Sequence, residues 1–334
     1  MMAVSLMLAL WTVPAGAKTT LLVYTALEAD QLKAYKQAFE QDNPDIELRW
    51  VRDSTGVITA KLLAEKTNPV ADVVWGLAAT SLLLLEREAL LLPYAPQGLE
   101  RIKATMRDAK HPPHWVGMDI WASVMCFNTV EAGKHRLPKP TSWADLTRPE
   151  YKGHVAMPHP ASSGTGYLMV SAWLQSLGEE AGWAYMDALH KNIVSYTHSG
   201  SKPCRQAASG EYVVGLSFDY RANKTKKDGG PIDIILPAEG LGWDQEATAI
   251  LKTSPRLDAA KRLADWAVTP RAQALYAEYY AIVGQPGVAQ ALEFIPADIE
   301  TRLMKNDFAW AAAQRDRILA EWSRRYDGKS EPKS

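Results

Sequence analysis

Cysteine is scarce: Cys126 and Cys204 are the two in 334 residues. That excludes a disulfide-dense miniprotein, and the pair fits either one disulfide or two buried thiols. Excess charge of one sign is missing too, with 37 Lys and Arg against 38 Asp and Glu and a net charge of -1. A general polyanion binder, which needs a basic surface to displace counterions, is therefore excluded, and no nucleic-acid partner is expected. Beyond the N-terminus no apolar run reaches the length of a membrane span; residues 81–94 are interrupted by Glu86, Arg87 and Glu88. Phenylalanine is sparse, 5 against 12 Trp and 13 Tyr. Those two aromatics pair an apolar body with a polar tip and suit half-wet clefts as well as cores. No metal centre is expected, because His111 and His114 sit in a proline turn with no carboxylate or Cys at ligand spacing.

Residues 3–13 (AVSLMLALWTV) form a short apolar run followed by Pro14 and Ala15-Gly16-Ala17. Small residues at such spacing mark a signal-peptidase site, so residues 1–17 read as an export signal, although no Lys or Arg precedes the run. From residue 19 the pattern alternates. Strands are expected at 20–24, 46–50 and 71–75, with helices at 27–41 and 57–66 between them. Strand and helix in alternation with short connections indicate an α/β sheet. The middle offers an extended segment at 115–127, strands at 154–157, 193–197 and 212–218, and helices at 165–177, 180–190 and 203–209. Residues 223–231 read as a polar connection. Strands at 232–236 and 247–251 precede helices at 257–267, 271–280, 296–306 and 309–325. The chain's length allows two domains.

In open α/β sheets, ligands sit where strands lead into helices. Two such loops, Ser54-Thr55-Gly56 and Ser162-Ser163-Gly164-Thr165-Gly166, present hydroxyls and glycine at a helix start. Free N–H groups and the positive dipole end favour an anion there. Simple N-capping is the competing reading for Ser54 and Thr55, whereas the second loop is richer than a cap needs. Neither loop is a Walker P-loop, and the G-x-G-x-x-G of dinucleotide folds is missing after the first strand. Ser199-Gly200-Ser201-Lys202 matches S-x-x-K, but its companion elements and the G-x-S-x-G elbow are absent. No catalytic residue and no cofactor is expected.

Several segments together resemble the periplasmic solute-binding proteins of ABC importers, in the branch of ferric-iron, thiamine and phosphorylated-solute binders. They are Val23-Tyr24-Thr25-Ala26-Leu27-Glu28, Trp143 to Leu146 with Tyr151-Lys152-Gly153, Ser162 to Tyr167, Ser199 to Cys204, and Ser217-Phe218-Asp219-Tyr220-Arg221. More narrowly, the chain resembles the 2-aminoethylphosphonate-binding proteins. Ferric binders of this branch carry a Tyr-Tyr pair near Tyr220, where this chain has Phe218 and Asp219. That disfavours iron and favours a ligand with a cationic end.

The resemblance implies an α/β, two-lobed type II fold, each lobe an open, mostly parallel sheet flanked by helices and hinged by crossover strands. The expected division is a signal at 1–17, one lobe from 18–118 and 231–286, the other from 119–230 and 287–328, and a frayed tail at 329–334. A phosphonate would rest on Ser54, Thr55, Ser162, Ser163, Gly164 and Thr165. The ammonium would face Glu28 or Asp219, with Tyr24, Thr25, Trp75 and Tyr220 as walls. The implied protein is a periplasmic monomer that closes on its ligand and delivers it to a permease of the inner membrane.

Overall fold

The computed structural model describes residues 17–332; the expected signal segment, apart from Ala17, lies outside them. Strand β1 (Thr19–Thr25) leads to α1 (Ala29–Asp42), which buries Gln31, Tyr35, Ala38 and Phe39 at helical spacing. Strand β2 (Ile46–Arg52), α2 (Thr55–Ala64), β3 (Val73–Ala78) and α3 (Ala79–Arg87) complete the first unit. Then come β4 (Val116–Asn128), α4 (Thr129–His135), β5 (Val155–Pro158), α5 (Gly164–Leu177), α6 (Glu179–Asn192), β6 (Ile193–Thr197), α7 (Lys202–Ala208), β7 (Val214–Phe218) and α8 (Asp219–Lys227). The chain finishes with β8 (Ile232–Ile235), β9 (Trp243–Ile250), α9 (Leu257–Ala267), α10 (Pro270–Ala277), β10 (Ile282–Val283) and α11 (Phe308–Tyr326).

Strand β4 is buried at all 13 positions and serves two sheets. Its first part, Val116 to Ala122, pairs antiparallel with β9, and β10 pairs at Asp119 and Ile120. From Ser123 onward it pairs antiparallel with β7 and β8. The strand order is β2-β1-β3-β9-β4-β7-β5-β6. This is the expected two-lobed α/β architecture on crossover strands, with one correction. The trios β2-β1-β3 and β7-β5-β6 are parallel, but β4, β8, β9 and β10 pair antiparallel, so both sheets are mixed. A chain that returns between lobes enters the next sheet from its opposite end, which forces the reversal.

The pairing changes sheets within β4, between Ala122 and Ser123, and β8 joins the second sheet. The expected crossovers at 118 and 231 therefore fall elsewhere. An apolar run carries no mark of the sheet it joins. The polar stretch at 223–227 belongs to α8, whose last turn carries the Lys224–Asp228 pair. Its lack of apolar periodicity hid it. The helix expected at 296–306 is a single 3-10 turn, Ile299–Arg302.

Nor is the C-terminus frayed over the described residues. Lys329 Nζ donates to the carbonyls of His190 (2.6 Å) and Ile193 (2.7 Å), and Glu331 N donates to Tyr196 O at 3.0 Å. Cys126 on β4 and Cys204 on α7 form a disulfide. Among the described residues, no helix is long and apolar enough to cross a membrane.

Candidate functional site

The loops that leave the parallel strands face one another across a narrow cleft. Glu28 follows β1, and Arg52, Ser54 and Thr55 join β2 to α2. Opposite them stand Ser163, Gly164 and Thr165 at the start of α5, with Ser199 and Gly200 after β6. Ala26, Trp121, Phe218, Glu246 and Tyr280 complete the lining.

The capping question is answered differently in the two loops. Ser54 holds the N-cap position of α2, but its hydroxyl makes no cap bond, which leaves that group to the cleft. Ser163 does cap α5, accepting from Gly166 N at 3.3 Å, and its O–H remains available as a donor. Glycine lets the loops touch. A Cβ on Gly56 would lie 2.0 Å from the Ala161 carbonyl oxygen, and one on Gly164 would lie 2.6 Å from Thr55 Oγ1. Gly56 N instead donates to Ser162 O at 2.8 Å, tying the start of α2 to the loop before α5. Two helix N-termini, five serine and threonine hydroxyls and the Arg52 guanidinium thus converge on one space, an arrangement that stabilises an anion.

The cleft brings together six of the expected residues: Glu28, Ser54, Thr55, Ser163, Gly164 and Thr165. The other six lie outside its lining. Ser162 borders it, but its hydroxyl lies 3.1 Å from His198 Nδ1. Thr25 is buried and accepts from Leu27 N at 3.1 Å. Tyr24 donates to Glu65 at 3.0 Å and packs in the apolar cluster with Ile58 and Leu62. Trp75 is fully buried, donating to Tyr276 Oη at 3.1 Å, with its ring 5.6 Å from Tyr35 and 5.7 Å from Trp266. Strand β3 is covered on both faces, so Trp75 at its middle meets helices rather than the cleft. Asp219 is buried at the start of α8 and accepts from Ala122 N at 3.1 Å; burial pushes its carboxyl up to about 7. Tyr220 is buried with its ring 5.5 Å from those of Tyr279 and Tyr280.

Glu28 is not a free anion either. Arg221 Nη2 lies 2.7 Å from its carboxylate, and Arg52 lies 3.8 Å away. The acid in the lining with a buried, unpartnered oxygen is Glu246, which the sequence reading missed. It stands opposite Asp119 in the β4–β9 register, both buried, and no donor reaches Glu246 Oε2 or either Asp119 oxygen among the described residues. Burial pushes both carboxyls up, and for Asp119 the neighbouring Glu246 adds to the effect. Two such groups side by side are arranged to share a proton. The available signal was an acidic residue inside the apolar strand Asp244-Gln245-Glu246-Ala247. Arg52, Trp121, Ser199, Gly200, Phe218 and Tyr280 were likewise unassigned, because only the fold carries them to the cleft.

Residues 68–308 match the family model of bacterial extracellular solute-binding proteins. An uncharacterised Haemophilus influenzae protein is 32% identical over 265 residues, spanning 78% of this chain and 76% of its own length. A Salmonella typhimurium protein whose name proposes 2-aminoethylphosphonate binding in the periplasm is 24% identical over 282 residues, 81% of this chain and 80% of that one. The solved periplasmic binding protein AfuA of Actinobacillus pleuropneumoniae, with fructose-6-phosphate bound, superposes with a TM-score of 0.87 at 28% identity. It covers 93% of this chain and 99% of its own. With a two-lobed fold and a polar interlobe cleft, the chain belongs to the bacterial extracellular solute-binding protein family.

Proposed function

We propose that this protein is the solute receptor of an ABC importer, taking a small organic phosphate or phosphonate in the interlobe cleft. The observation that carries the reading is the meeting of two helix N-termini from opposite lobes at Gly56 and Ser162, flanked by Ser54, Thr55, Ser163 and Thr165. The phosphoryl oxygens would accept from these hydroxyls, from the free N–H groups of α2 and α5, and from Arg52. Donors from both lobes make the closed form the one that satisfies the ligand, and that difference drives closure. AfuA supports a phosphorylated solute, and the Salmonella relative supports a phosphonate.

For 2-aminoethylphosphonate, the ligand singled out from sequence, the ammonium partner becomes Glu246. Glu28 is neutralised by arginine, and Asp219 faces a backbone N–H. A ferric site is disfavoured, since Tyr280 is the single phenol in the lining.

Calorimetry with 2-aminoethylphosphonate, methylphosphonate, fructose 6-phosphate, 3-phosphoglycerate and ferric citrate tests the reading. At least one phosphoryl or phosphonyl compound binds tightly and is recovered intact. An ionised Glu246 should favour 2-aminoethylphosphonate over methylphosphonate by about a hundredfold, the ratio for about 2.7 kcal/mol. Tight ferric binding with no response to the other compounds would overturn it.

A further inference from the structure

Residues 327–331 run beside β6, the terminal strand of the second sheet, where Ser330 pairs in parallel with Tyr196. Covering an exposed edge is a sufficient role for such a segment. This one reaches further. Glu331 Oε1 accepts from His198 N at 2.6 Å, beyond the end of β6, and the Glu331 carboxylate also pairs with Lys202 at the start of α7. The Glu331 carbonyl lies 3.0 Å from His198 Nε2. A carbonyl only accepts, so Nε2 carries a proton, and in the neutral ring Nδ1 is left as an acceptor. Nδ1 faces the Ser162 hydroxyl at 3.1 Å; the hydroxyl's alternative acceptor, His159 O, is 3.5 Å away. Ser162 in turn supplies the carbonyl that receives Gly56 N across the cleft.

The same loop is held at a second point. His159 Nδ1 accepts from Ala161 N at 3.0 Å, and its Nε2 lies 3.1 Å from Asp327 Oδ1. Both histidines therefore connect the C-terminal segment to residues 159–163, the loop that ends in the cleft-lining Ser163.

We infer that the C-terminal segment, residues 327–331, is a positioning element of the solute cleft. It acts through His198 on Ser162 and so on the interlobe bond to Gly56. The inference rests on the solute-binding reading, and neither His198 nor the segment touches the solute.

Closure can be read without ligand. Spin labels on Val70→Cys and Leu177→Cys, exposed positions in the two lobes, report the interlobe distance. Dissociation of fructose 6-phosphate and of 2-aminoethylphosphonate is followed by stopped flow. His198→Phe, Ser162→Ala and a chain ending at Lys329 should each shift the labels toward the open distance and speed release about tenfold, the scale of one hydrogen bond. The two single changes should not add in the double variant, since they break one contact. His198→Asn, which keeps a polar group near the Nδ1 position, should stay closer to the parent than His198→Phe. If the shortened chain is too unstable to study, the point variants decide.

Parental distances and release rates in all variants, with only a loss of melting temperature, would reduce the segment to an edge cover and overturn the inference. Where the parent binds neither probe, the calorimetric panel above judges the solute reading, while the label distances still judge the inference.

Discussion

Gly56 is the residue on which the cleft turns. It lies in the first turn of α2 with an ordinary helical backbone, where alanine is intrinsically better by about 1 kcal/mol. Gly56→Ala should therefore favour α2 itself, so any fall in the melting temperature of the free protein reports the lost contact with the Ala161–Ser162 loop. The added carbon would meet the Ala161 carbonyl in the closed form, so solute affinity should fall by roughly a hundredfold, as overpacking costs of about 1–3 kcal/mol imply. Scanning calorimetry and titration together separate the two effects, and parental affinity would show that the lobes do not meet there.

Asp219 offers a second test at the same scale. Burial raises its carboxyl to about 7, against an unfolded value of about 3.9. The folded state then binds the proton more tightly, so this group's contribution to stability is full below pH 4. It is lost as pH climbs from there to 7. Asp219→Asn keeps an acceptor for Ala122 N and removes that loss. Denaturant unfolding should show the variant gaining on the parent between pH 5 and pH 8, by up to roughly 3 kcal/mol. An advantage that shrinks as pH rises would contradict the assignment.

At the scale of elements, the disulfide joins the second-sheet half of β4 to α7, closing a separation of 78 residues. Cross-linking a loop of that length stabilises by roughly 4 kcal/mol in the chain-entropy view. Reductant, or the pair Cys126→Ala with Cys204→Ala, should lower the denaturant midpoint accordingly. Both ends lie in one lobe, so solute affinity should change less than threefold by titration, a shift under about 0.7 kcal/mol. Helix α5 shows the complementary division of labour. Its first turn supplies Ser163, Gly164 and Thr165 to the cleft, while Tyr167 to Leu174 are buried and fix its direction.

Across the whole molecule, polar contacts tie the two lobes together at the cleft. Glu28 of the first reaches Arg221 of the second at 2.7 Å, and Gly56 reaches Ser162. Both groups of the ion pair are largely shielded from water, which makes their separation costly without making the pair a large net stabiliser. Small-angle scattering should give a smaller radius of gyration with saturating solute than without, and Arg221→Gln should move the ligand-free protein further toward the open shape. Identical curves for the parent with and without solute would count against hinge closure as the response to binding.

Much of this was legible in order along the chain. The alternation of strands and helices from 19 to 78, the hydroxyl–glycine loops at 54–56 and 162–166, and the long extended segment at 115–127 are local patterns set by periodicity and turn chemistry. They sufficed for the fold class and for the six cleft residues that lie on loops after strands. What the sequence could not determine was facing. Tyr24 stands near the end of β1 and Trp75 closes the expected strand 71–75, as ligand walls do, and packing turned both into apolar clusters. The partner of Glu28 is 193 residues away, Cys126 and Cys204 could equally have stayed apart, and Glu246 meets Asp119 only through the register of β4 and β9. Those choices rest on long-range contacts, and a linear pattern of polar and apolar residues does not encode which distant group will neutralise a charge. Local chemistry determined where an anion could be held; tertiary structure decided which charges remained free to meet the other end of the solute.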